Sequence, residues 1–118
     1  PTTSQYAAVV AMRDCDNEVE EMKKEYDMRR RFLVKAFNAM GLDCFTPEGA
    51  FYVFPDISKF GLTSEQFCIR MIQEGGVAAV PGSCFGAEGY IRLSYCYSDE
   101  ELKTGLDRMA AFIQQLPL

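Results

Sequence analysis

Apolar positions recur along the chain with two periods, and each period predicts a different element. Tyr6-Ala7-Ala8-Val9-Val10-Ala11-Met12 is helical in composition but apolar nearly all round, the pattern of a helix covered on more than one side. Asp14-Cys15-Asp16-Asn17 breaks it, and Asn17 with Glu20 has the spacing of a capping box. From about Glu18 to Met40, Val19, Met22, Tyr26, Arg29, Leu33, Ala36 and Met40 return every three or four residues, the stripe of a long packed helix. Glu20, Lys24, Asp27, Arg31, Lys35 and Asn38 form its solvated face, and Gly41 suits the residue just past its end.

Beyond Gly41 the period shortens. Asp43-Cys44-Phe45 and Ala50-Phe51-Tyr52-Val53-Phe54 flank Pro47-Glu48-Gly49 and predict a hairpin stopped by Pro55. Thr63 and Gln66 predict a capping box opening a helix to about Gln73, with Phe67, Cys68, Met71 and Ile72 inward. Gly75-Gly76 ends it, and Val77-Ala78-Ala79-Val80 predicts a buried strand. The glycine-rich loop from Pro81 feeds a strand over Tyr90–Tyr95, with Ile91, Leu93 and Tyr95 on one face and Tyr90, Arg92 and Ser94 on the other. Ser98 and Glu101 cap a last helix with Leu102, Leu106, Met109, Ala110 and Ile113 inward. The order predicts an α+β fold, a small mostly antiparallel sheet with helices packed on one face.

Composition narrows the function classes. A chain of 118 residues supports one domain over residues 1–118, and 48% apolar with 25% charged residues is the balance of a folded globular chain. A net charge of −5 argues against nucleic acid as a partner. Arg29-Arg30-Arg31 shares its helix with Glu18, Glu20, Glu21, Glu25 and Asp27, which predicts i,i+4 pairing rather than a basic patch. No apolar run is long enough to cross a membrane and no signal peptide is visible. The start at Pro1, without an initiator methionine, suggests a fragment or processed chain. Cys15, Cys44, Cys68, Cys84 and Cys96 are scattered and no histidine accompanies them. That pattern argues against a metal site and for reduced thiols in a cytoplasmic protein. Without histidine, the usual hydrolase triads are excluded.

Arg92 is the side chain with candidate chemistry. On pattern alone it is either a solvated charge on an open sheet face or a planar fork aimed at an anion.

Three ordered motifs bear on that choice: Gly49-Ala50-Phe51-Tyr52-Val53-Phe54, then Gly76-Val77-Ala78 through Pro81-Gly82-Ser83-Cys84-Phe85-Gly86, then Tyr90-Ile91-Arg92-Leu93-Ser94-Tyr95. In this order they resemble the C-terminal small domain of class I/II aminotransferases, fold type I enzymes dependent on pyridoxal 5′-phosphate (PLP). The resemblance runs through essentially the whole chain. It implies that Arg92 binds the α-carboxylate of an amino-acid or 2-keto-acid substrate. It places Phe51 near the substrate pocket, although a plain core phenylalanine in a hairpin fits the same residue. Gly49 serves either close backbone approach or the hairpin turn, and Pro81-Gly82-Ser83 either shapes the pocket rim or is a structural loop.

The family's cofactor chemistry runs through a lysine in a large domain, and none of the motifs that surround that lysine occurs here. Ser58-Lys59 lacks its flanking residues and reads as a surface pair. The resemblance therefore implies a full-length transaminase with PLP, partnered by its own large PLP-binding domain in a homodimer. No catalytic, cofactor-binding or metal-ligating residue is expected in this chain, which on its own should be inactive and bind no PLP. Its apolar first helix should drive self-association. Two rivals stay open: a carbon–sulfur lyase of the same superfamily, and a stand-alone α+β binding or interaction module in which Arg92 is incidental.

Overall fold

The computed structural model describes residues 1–117. Helices α1 (Thr2–Asp14) and α2 (Asp16–Ala39) lead into β1 (Tyr52–Val53), α3 (Ser64–Arg70), β2 (Val80–Pro81), β3 (Ile91–Ser94) and α4 (Asp99–Gln114). The fold is α+β, and its strand order is β1-β3-β2 with both pairings antiparallel. Tyr52 faces Ser94 and Val53 faces Leu93 on one side of β3, while Val80 faces Arg92 and Pro81 faces Ile91 on the other.

The core lies between this sheet and the helices. Leu33 and Phe37 from α2, Phe67 and Cys68 from α3, Met71 just beyond it, and Leu102, Leu106, Met109 and Phe112 from α4 enclose Val53, Ile91 and Tyr95. Phe67 meets Phe112 edge-on at 5.4 Å, joining α3 to α4. Arg29 ties α2 to the start of α4 with a 2.9 Å contact to Asp99.

Two capping boxes form as the sequence predicts, Thr63–Gln66 and Ser98–Glu101. Gly41, at φ +76°, closes α2: its N–H bonds the Asn38 carbonyl, and the Leu42 N–H reaches back to Phe37. Leu42 then drops into the core.

Several local expectations fail for identifiable reasons. No hairpin joins Asp43–Phe45 to Ala50–Phe54. The Asn38 side chain accepts from the Cys44 N–H and donates to the Cys44 carbonyl, both at 3.2 Å, so that backbone needs no strand partner. β1 pairs with β3 instead. The Asn17–Glu20 box is absent because α2 begins at Asp16, directly after Cys15. Val19 and Met22 stay exposed, since the first half of α2 runs past the core in a molecule 53 Å long. Ile72 points out because the chain widens into a π turn over Met71–Gly75. Val77–Val80 is half-exposed and enters the sheet only at Val80.

α1 buries none of its residues, and Tyr6, Val9 and Met12 face outward. Among the described residues no helix is long and apolar enough to cross a membrane.

Candidate functional site

Strand alternation puts Ile91 and Tyr95 in the core and turns Arg92 to the opposite face. There its guanidinium lies over two aromatic rings. The carbon at its centre is 4.3 Å from the Tyr52 ring centroid and 4.4 Å from that of Phe85. Each stacking contributes about 0.5–1 kcal/mol at a partly exposed position. Stacking covers the flat faces of a guanidinium and leaves its N–H edge for a ligand.

Every other arginine has a partner. Arg13, Arg29, Arg30, Arg31 and Arg70 are ion-paired, the clustered three as helix-face pairing predicts, and Arg108 donates to the Gly76 carbonyl. Among the described residues no carboxylate pairs with Arg92. Arg92 lines a groove of about 780 Å³ between the β2–β3 edge and α4, with Val77, Ala79, Leu93 and Tyr97.

Phe51 is not the hairpin core residue that one reading expected. It is 38% exposed, stacks on Tyr26 of α2 at 5.9 Å and touches Tyr52 at 4.8 Å. Tyr52 therefore links Phe51 to Arg92. The turn before β1 is strained at Ala50 (φ +58°), not at Gly49, where a side chain would meet nothing within 4 Å. The Tyr95 hydroxyl donates to the Ala50 carbonyl at 2.8 Å and holds that turn; burial raises the pKa of the Tyr95 phenol.

The glycine-rich loop that carries Phe85 is tied down from two sides. Gly82 donates to the Tyr90 carbonyl at 2.8 Å, and Ala87 donates back to Gly82 at 2.9 Å. Across the gap to α3, the Ser64 N–H and hydroxyl donate to the two carboxylate oxygens of Glu88 at 2.6 and 2.9 Å. Ser64 Oγ in turn accepts from the Ser83 N–H at 3.2 Å. The Ser64 backbone N–H, then its hydroxyl, hold the Glu88 carboxyl below the usual glutamate range. Pro81-Gly82-Ser83 is thus held as a structural loop, and the residues lining the groove beside Arg92 stop at Val80 on the β2 side.

Tyr52 and Phe85 are the residues that sequence reading missed. Tyr52 carried no local signal, since only the β1–β3 register sets it diagonally across from Arg92 on the same face. Phe85 carried none, because a 3₁₀ turn over Gly82–Phe85 aims it.

The residues present do not fit PLP. Lys59 donates to the Gly41 carbonyl at 2.6 Å and closes the end of α2. Lys23 and Lys103 are ion-paired on helix surfaces, and Lys24 and Lys35 are exposed on α2. No three Cys, Asp or Glu side chains gather into a metal site among the described residues.

The family model described as "Aminotransferase class I and II" matches residues 1–109. The chain is 48% identical to an aspartate aminotransferase of Pyrococcus abyssi over 99% of its own length and 31% of that protein. It is 46% identical to aromatic-amino-acid aminotransferase 2 of Thermococcus litoralis, again covering 99% of this chain and 31% of the relative. The crystal structure of an aromatic aminotransferase from Pyrococcus horikoshii superposes with a TM-score of 0.90 at 47% identity, over 94% of this chain and 31% of that one. The chain thus spans about a third of the length of the curated relatives it matches.

Proposed function

This chain belongs to the class I and II aminotransferase family, and on that premise we propose that residues 1–118 are the C-terminal small domain of a PLP-dependent aminotransferase. In this reading Arg92 grips the α-carboxylate of an amino acid in one half-reaction and of a 2-keto acid in the other. The observation that carries it is the state of Arg92, with its guanidinium carbon over two aromatic rings, no acidic partner among the described residues and a groove beside it.

A guanidinium edge offers two parallel N–H donors that match the two oxygens of a carboxylate, a geometry lysine cannot reproduce. Binding that carboxylate fixes how the substrate's Cα–H bond is presented to the reacting centre. Phe51 stands behind Tyr52, which lines the groove, and in this reading supports that wall of the pocket. PLP, which the family implies, supplies the electron sink for amino-group transfer. Its seat and its lysine belong to a large domain outside these residues, and this chain alone is inactive.

Further support comes from the molecule's exterior. The exposed apolar side chains of α1, in a chain a third the length of its relatives, fit a surface covered by that large domain and by a second subunit. All five cysteines are free thiols, the state a reducing cytoplasm keeps. The aminotransferase names of the relatives favour transamination over lyase chemistry.

The test is Arg92→Lys in the full-length protein, assayed with L-aspartate and with L-phenylalanine as amino donors and 2-oxoglutarate as acceptor. Loss of the bidentate contact should raise KM for the donor about 10- to 100-fold while the cofactor stays bound by its absorbance. An unchanged KM, or loss of PLP with KM intact, removes Arg92 from the carboxylate.

A further inference from the structure

A fork is only as well aimed as the surfaces that hold its plane, and one of the two surfaces on Arg92 comes from a loop. Phe85 lies 4.4 Å from the guanidinium, meets Phe54 edge-on at 5.8 Å and is otherwise half-exposed. Its position depends on the path of residues 82–89. Across to α3, that loop is hydrogen-bonded through one residue: Ser64 is 0% exposed, its backbone N–H and its hydroxyl each donate to Glu88, and its hydroxyl oxygen accepts from Ser83. The two attachment points, Ser83 and Glu88, flank Phe85 in sequence. The loop is thus pinned on both sides of the ring that stacks on Arg92.

We propose that Ser64 and Glu88 are positioning residues for substrate binding: their latch holds Phe85 on the face of Arg92 and so fixes the direction in which the fork presents its N–H edge. The proposal rests on the reading of Arg92 as the carboxylate site. Neither residue touches the substrate. Without the latch, the loop relaxes away from α3, Phe85 leaves the guanidinium, and Arg92 samples orientations that no longer meet a carboxylate edge-on. The cost falls on capture of the substrate rather than on the chemistry that follows.

The experiment uses the full-length holoenzyme with L-aspartate and L-phenylalanine as donors. Ser64→Ala removes both the acceptor for Ser83 and a donor to Glu88. Phe85→Leu keeps an apolar side chain of similar reach but removes the ring face, and it serves alone if Ser64→Ala fails to fold. Both variants should raise donor KM by about three- to tenfold with kcat within about twofold and the cofactor absorbance unchanged. A merely structural lesion would instead lower the unfolding midpoint and the fraction of active enzyme while KM stayed put. If Arg92→Lys raises KM but Ser64→Ala and Phe85→Leu do not, the latch is overturned and the carboxylate reading survives. If Arg92→Lys also leaves KM unchanged, both fall.

Discussion

A methyl group at Gly82 would land 2.1 Å from the Ala87 carbonyl oxygen and 2.4 Å from that of Tyr90. Both are backbone atoms of the loop beside Arg92, so neither can swing aside as a side-chain tip would. Gly82→Ala must therefore break the bonds that Gly82 makes to Tyr90 and Ala87. The expected cost is about 3 kcal/mol, read as a lowered denaturation midpoint in the purified chain. A midpoint within error of the parent would show that the loop has slack. Arg92 itself was legible from its place in Tyr90–Tyr95, because strand alternation alone separates it from Ile91 and Leu93. Its aromatic walls were not, since Tyr52 reaches it through a pairing register and Phe85 through a turn, and neither is written in local spacing.

At the scale of elements, two of the three capping boxes suggested by spacing were readable, and Asn17–Glu20 failed because both residues lie inside α2. Thr63 with Gln66 and Ser98 with Glu101 form the boxes their spacing announces. Distant partners were not: β1 pairs some forty residues downstream, and Asn38 supplies Cys44 with the hydrogen bonds a hairpin would have given. The cap on α3 has a consequence for pH. Glu88 titrates below its ordinary value of 4.5 because Ser64 bonds its charged form. Its contribution to stability is thus complete above that value and is lost as the pH falls through the lowered folded value. Denaturant midpoints of the parent and of Glu88→Gln should differ at pH 7 and converge in acid, once the pH has fallen below the lowered folded value. A gap that stays constant with pH would show that the carboxylate charge contributes nothing there.

The whole molecule is an elongated body, 53 × 28 × 23 Å, with its core at one end and the α1 and early α2 arm at the other. Its α+β class was legible because helix and strand periods occupy separate stretches; how far the arm extends from the core was not, because α2 keeps one apolar stripe both inside and beyond the core. In this body the lysines serve the surface or, at Lys59, a helix end. Mixed with PLP and L-aspartate, the 118-residue chain should show no turnover and no protein-bound cofactor absorption band after gel filtration. A retained band would place a cofactor lysine within these residues.

The middle position of β3 bears on how the chain is made. Both of its neighbours leave the ribosome first, β1 about forty residues and β2 about ten residues ahead. Until Ile91–Ser94 emerges, Tyr52–Val53 and Val80–Pro81 have no ladder to join, and translation holds two open edges in waiting. Truncation before Ile91 would therefore remove the sheet outright rather than trim it, and nascent chains stalled there are the ones a chaperone would have to shield.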